Sequence, residues 1–232
     1  KNLDNVKIID CSWHMPQTKR DGFTEYQINH IPGAIFFDLD FNSKKDTELP
    51  HMLVEINDWK EIVSKMGIKN NDEIIIYDNS DVASACRCWF NFIYFGHDPK
   101  LVHVLNGGFK KWIIENRKVT TQLPTIEISN YNCLEKNELV KNKNLIDQNI
   151  EVQKFKIVDA RSKERFEGKV PEPRKGLRSG SIKNSFCIPF NKCLNDNKTF
   201  KNKEDLENIF KSCLGNYNEN NIVFSCGSGV TA

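Results

Sequence analysis

Residues 226–232 read Cys-Gly-Ser-Gly-Val-Thr-Ala, directly after the apolar run Ile222-Val223-Phe224. A thiol followed by small residues at a strand end suits nucleophilic chemistry. Gly227 and Gly229 permit positive φ, so that successive backbone N–H groups can turn inward as an anion-binding nest. A helix beginning near Thr231 would add its positive end. Both effects lower the pKa of Cys226 and favour a thiolate or a persulfide anion. The bland alternative is a turn that buries a thiol.

A second signal is a cluster of arginines. The chain has 26 Lys and only 7 Arg, yet Arg161, Arg165, Arg174 and Arg178 fall within 18 residues. Where Lys is the usual cation, clustered Arg points to a need for the planar two-pronged donor that matches a carboxylate. Surface ion pairs are the alternative. The remaining cysteines, at 11, 86, 88, 133, 187, 193 and 213, include no CxxC pair and no Cys/His cluster with zinc spacing. They are expected to be reduced thiols serving as small buried hydrophobes. Cys86 and Cys88 lie on an expected helix, where residues two apart do not face one another, so no disulfide is expected between them.

The elements that must position these residues come from a repeat. Lys7-Ile8-Ile9-Asp10 resembles Lys156-Ile157-Val158-Asp159, Ile31–Phe37 resembles Ile182–Ile188, and Ile74–Asp78 resembles Ile222–Cys226, at offsets of 149, 151 and 148 residues. One nearly constant offset implies two copies of one domain. Short β-branched runs, Lys7–Asp10, Ala34–Phe37, Ile74–Tyr77 and Val102–Leu105, read as buried strands. Helical patterns lie between them, one opening at Asn57-Asp58 with Asn or Asp as cap and ending near Met66-Gly67, another over Asp81–Phe95. Strands alternating with helices predict an α/β fold, each copy a parallel sheet with helices on both faces.

The expected organisation is a first domain over 1–120, a linker over 121–134 around Pro124, and a second domain over 135–232, partly helical across Leu134–Ile150. In copy one, Val102–Leu105 and Gly107–Trp112 follow Asp78. Copy two ends at Ala232 before their equivalents, so the second domain is read as truncated at its C-terminus. Copy one has Asp78 where copy two has Cys226, with no nucleophile in its loop, and is expected to be non-catalytic.

Composition narrows the classes. Of 232 residues, 39% are hydrophobic and 28% charged, with a net charge of +2. Such a balance gives no reason to expect nucleic acid or an anionic membrane as partner, and no apolar run approaches the roughly 18 residues of a membrane span. Reduced thiols suggest a cytoplasmic protein, with a mitochondrial one as the alternative.

Longer motifs carry a resemblance. They are Asp10-Cys11-Ser12-Trp13, HIPGAIFFDLD at 30–40, Leu49–Leu53, Ile75–Asp78, Arg87 with Trp89, Phe95-Gly96-His97, Leu105–Gly108, VDARSKERFEGKVPEPRKG at 158–176, and the Cys226 loop. Together the chain resembles the two-domain sulfurtransferases of the rhodanese superfamily, in particular those of the 3-mercaptopyruvate type. The resemblance implies two tandem rhodanese-like domains and covalent catalysis in which Cys226 takes sulfur from a small donor. A thiol acceptor such as thioredoxin or glutathione, or cyanide, then removes it. It implies substrate binding by Arg165 and Arg174, with the loop residues Gly227, Gly229, Val230 and Thr231 around the thiol. It further implies an Asp/His/Ser arrangement for protons at Asp40, His51 and Ser228. For Asp40 a turn cap, and for His51 an interface hydrogen bond, are the alternatives.

No cofactor or metal is implied, and a monomer is expected. Arg161 and Arg178 are assigned structural roles, His30 a turn hydrogen bond, and Arg87 and Trp89 interdomain packing. The uncharged loop favours a monoanionic carboxylate donor over the dianion thiosulfate. A cysteine phosphatase would need Cys-x5-Arg, and the residue six after Cys226 is Ala232. A binding module without activity would not require the Cys loop and both Arg.

Overall fold

The computed structural model describes residues 5–218 and 221–232. The chain divides into two compact units, Lys1–Leu139 and Val140–Ala232, each an α/β sheet of parallel strands.

In the first unit the apolar runs form β1 (Val6–Asp10), β2 (Ala34–Phe36), β3 (Glu73–Tyr77) and β4 (Val102–Val104), in the order β2-β1-β3-β4. Ile8 stands opposite Ala34 on one side and Ile75 on the other, and Ile74 opposite Val102. β2 and β3 carry unbroken apolar runs, as expected where helices cover a parallel sheet, while the edge strand β4 alternates, with His103 exposed. The helices are α1 (Gly22–Ile28), α2 (Ile56–Lys65), α3 (Ser84–Tyr94) and α4 (Gly108–Ile114). α1 and α4 send Tyr26 and Phe109 into a cluster with Tyr77. α2 meets α3 through Trp59, fully buried against Phe92, with Phe95 just beyond the helix stacked on the indole.

The second unit repeats the start of this pattern. β5 (Lys156–Asp159), β6 (Phe186–Cys187) and β7 (Ile222–Ser225) form the order β6-β5-β7, with Val158 opposite Phe186 and Phe224. α5 (Lys143–Val152), α6 (Lys163–Phe166) and α7 (Lys203–Leu214) accompany them. Asn142, Ser162 and Asn202 cap the three helices, each accepting a backbone N–H three residues on. The core joins Val158, Ile188 and Leu214. β1, β2 and β3 correspond in order to β5, β6 and β7, as the repeat predicts.

Three boundaries differ from expectation. α2 begins at Ile56, after Glu55, which makes no side-chain cap; Asn57 and Asp58 lie inside the first turn. α3 begins at Ser84 rather than Asp81, because Ala83 is left-handed (φ 51°) and residues 78–83 form a separate loop. The segment 121–134 has no regular structure, yet it is not a free linker. Tyr131 is fully buried, its hydroxyl 2.9 Å from His97 Nδ1. The Tyr131 N–H donates to Ser64 Oγ, and the Leu134 and Lys136 N–H groups donate to the Phe95 and Tyr94 carbonyls. These bonds tie the segment to the first unit, and the division between units falls after Leu139. Across Leu134–Ile150 the expected partial helix is one short turn, Asn137–Leu139, followed by α5.

Candidate active site

β7 delivers Cys226 to the carboxyl end of the second sheet, where open α/β sheets place their ligands. The loop then folds around the sulfur. Gly229 donates its backbone N–H to Cys226 Sγ at 3.1 Å. Burial alone would push the thiol up. Hydrogen bonds from the Thr231 hydroxyl and from the N–H groups of Ser228, Thr231 and Gly229 outweigh it and hold Cys226 below its ordinary value. Val230 is buried and anchors the loop in the core. Cys226, Ser228, Gly229 and Thr231 therefore form one nest.

The two glycines have different reasons. Gly229 has φ +73°, and supplies the left-handed turn. Gly227 does not take a positive φ; a Cβ there would lie 2.9 Å from Nη2 at the tip of the Arg165 side chain. That near contact places the Arg165 guanidinium beside the loop. Arg174 reaches it as well, donating Nη2 to the Gly227 carbonyl. Arg165 and Arg174 thus converge on Gly227.

The other two arginines serve the scaffold. Arg161 grips the Asp159 carboxylate through Nε and Nη2 (3.0 and 2.6 Å) and donates to the Gly180 carbonyl. Arg178 donates to the Ser181 carbonyl at 3.3 Å. Sequence reasoning missed Glu172, whose buried carboxylate accepts from Arg161 Nη1 (2.7 Å) and from Arg165 Nε and Nη2 (3.1 and 2.6 Å). Its carboxyl is held below the ordinary range chiefly by the Arg165 hydrogen bond. The signal was present: Glu172 is the one acid in the stretch 168–180, among Lys169, Arg174, Lys175 and Arg178.

Asp40 and His51 belong to the first unit, and there they meet. His51 Nε2 lies 2.8 Å from Asp40 Oδ1, and Trp13 Nε1 donates to Asp40 Oδ2 at 2.9 Å. The His51 hydrogen bond holds the Asp40 carboxyl below its usual range. With an ionised carboxylate at Nε2, that nitrogen carries the proton in the neutral ring. Nδ1 is then a buried acceptor with no partner among the described residues. Asp40 is therefore more than a turn cap. His51 itself is left-handed (φ 56°), an uncommon state for a non-glycine residue. Arg87 Nη2 donates to the His51 carbonyl at 2.5 Å. His30 is structural, fully buried with its ring nitrogens against the Tyr26 and Gln122 carbonyls. All eight cysteines are free.

The family model described as Rhodanese-like domain matches residues 1–115 and 142–232. The chain belongs to the rhodanese family. Its curated rhodanese relatives include thiosulfate/3-mercaptopyruvate sulfurtransferase 1, mitochondrial, of Arabidopsis thaliana, 36% identical across 98% of this chain and 65% of that protein. The mouse 3-mercaptopyruvate sulfurtransferase is 34% identical, across 98% of this chain and 76% of its own length. The chain thus spans 65% of the first relative's length and 76% of the second's. Among solved rhodanese structures, SseA from Escherichia coli, described as a 3-mercaptopyruvate sulfotransferase, superposes with a TM-score of 0.83 at 28% identity, covering 98% of this chain and 84% of that one.

Proposed function

We propose that this rhodanese is a sulfurtransferase that moves sulfur from 3-mercaptopyruvate to a thiol or to cyanide through a Cys226 persulfide. The observation that carries this reading is the Cys226 sulfur cradled by N–H donors, 3.1 Å from Gly229 N, with Arg165 and Arg174 converging on the adjacent Gly227. The Cys226 thiolate attacks the donor sulfur. The carbon–sulfur bond breaks, its electron pair leaves as the pyruvate enolate, and a proton completes pyruvate. An acceptor thiolate, such as that of thioredoxin or glutathione, then attacks the outer sulfur and restores the Cys226 thiolate. The nest stabilises charge on sulfur in both steps, and the arginines hold the donor carboxylate. Ser228, with the Asp40–His51 pair, is assigned to proton handling.

Thiosulfate is the second donor, favoured by the name of the Arabidopsis relative, which covers both substrates. The chain is read as a monomer. Its free thiols suit a reducing compartment, cytosolic or mitochondrial.

Pyruvate release from 3-mercaptopyruvate with a thiol acceptor tests the reading, with thiosulfate turnover beside it. The wild type is expected to turn over mercaptopyruvate in preference, and the Cys226→Ser variant neither donor. Turnover of neither donor by the wild type would overturn the sulfurtransferase reading.

A further inference from the structure

Four charged side chains form a chain of alternating sign from the end of β5 to the Cys226 loop. Asp159 holds Arg161, Arg161 holds Glu172, and Glu172 holds Arg165. The side chain of Glu172 is 5% exposed and that of Arg165 is 24% exposed. The chain therefore runs from the interior outward, and only its last member reaches the loop. In these four the charges cancel in pairs. Arg174, at the Gly227 carbonyl, adds one positive charge outside these pairs. Arg165 gives Nε and one hydrogen of Nη2 to Glu172. This leaves Nη1 and the second Nη2 hydrogen, so an anion is met end-on rather than on the Nε side.

We infer that Glu172 is a positioning residue that sets donor selectivity: it aims Arg165 and, by neutralising one guanidinium, tunes the Cys226 loop to a monoanionic 2-oxo carboxylate rather than a dianion. The inference rests on the sulfurtransferase reading for its substrates, and on the ion-pair chain for its mechanism. A dianion gains more than a monoanion from each added positive charge, because Coulomb energy scales with the product of charges. Removing the Glu172 charge therefore helps thiosulfate more than mercaptopyruvate. Loss of aim at Arg165 harms both donors.

The experiment compares kcat/KM for both donors in wild type, Glu172→Gln and Glu172→Asp. The Gln variant keeps the shape and loses the charge. The thiosulfate-to-mercaptopyruvate ratio is expected to rise about five-fold, with KM for mercaptopyruvate increasing more than kcat falls. The Asp variant keeps the charge on a shorter arm; both rates are expected to fall while the ratio stays near wild type. Equal losses for both donors in both variants would reduce Glu172 to a structural part and overturn the inference. A second measurement separates this from failure of the parent reading. Protection of Cys226 from iodoacetamide by pyruvate and by sulfate needs no turnover. Glu172→Gln is expected to shift protection towards sulfate, and an unchanged ratio of protection would sink the proposal even if the wild type is an active enzyme. Both variants must retain the wild-type circular dichroism spectrum; should the Gln variant fail to fold, the Asp variant's ratio decides, and a rise in it overturns the inference.

Discussion

The loops after β3 and β7 occupy equivalent positions in the two copies and treat their backbone donors in opposite ways. In the second copy the Ser228, Gly229 and Thr231 N–H groups turn to the Cys226 sulfur. In the first copy the oxygens of nearby side chains take them. Asp78 accepts from the Ser80 and Ala85 N–H groups at 3.1 and 2.6 Å, Ser12 Oγ takes the Asn79 N–H, and Ser80 Oγ takes that of Val82. A carboxylate fixed in the chain stands where the other copy has the Cys226 sulfur. The strands before them tell the same story. β1 and β5 each end on an aspartate accepting the N–H two residues on, from Ser12 and Arg161 respectively. In the first copy Ser12 also gives its hydroxyl to Asp10, closing the network locally. In the second, Arg161 continues outward to Glu172. The sheet is shared, and the two copies differ in which loop donors side-chain oxygens already hold.

The comparison breaks most sharply if a thiol is placed in the first loop. Asp78→Cys in the Cys226→Ser background is expected to form no persulfide, read as a mass increment of one sulfur after incubation with donor. The Ser80 and Ala85 N–H groups would also lose a charged acceptor, at about 1–3 kcal/mol in stability measured by urea unfolding. A persulfide at position 78 would show that the loops are interchangeable. A smaller effect sharpens the second loop. Thr231→Val removes the hydroxyl bond that helps depress Cys226. The folded thiol sits below its ordinary value, so the wild-type thiolate persists to lower pH and is lost as pH falls through that depressed value. The variant's iodoacetamide profile should move to higher pH, and its rate at neutral pH should drop about ten-fold for a rise of one unit. An unmoved profile would mean that backbone donors suffice. The smallest effect concerns the strap on the first unit. Tyr131→Phe removes the His97 hydrogen bond and is expected to cost about 1 kcal/mol, read from the unfolding midpoint.

Much of this was legible in the residues. Each of the four expected strands of copy one matches an observed strand to within one residue, because unbroken β-branched runs leave little choice for a parallel sheet. The Cys226 nest follows from small residues after a strand. What escaped notice was non-local. Asp78 takes the Ala85 N–H that a helix from Asp81 would have given to the Asp81 carbonyl, and Ala83 turns left-handed, so α3 starts late. Tyr131 lies in a polar, aperiodic stretch, and its burial depends on His97, 34 residues away. Glu172 looks like one more surface acid until Arg161 and Arg165 are seen on either side. Gly227 was assigned to backbone freedom, whereas its φ is ordinary and its close neighbour is the Arg165 guanidinium.

The strand order has a consequence for synthesis. In both sheets the first strand made, β1 or β5, is an inner one with neighbours on both sides. As the chain leaves the ribosome, β1 has neither partner until residues 34–36 and then 73–77 have followed. Its exposed Lys-Ile-Ile run must wait through some 60 further residues, several seconds at ordinary translation rates. An unpaired apolar strand held open that long is a target for aggregation and for a holding chaperone, and the second copy imposes the same wait on β5.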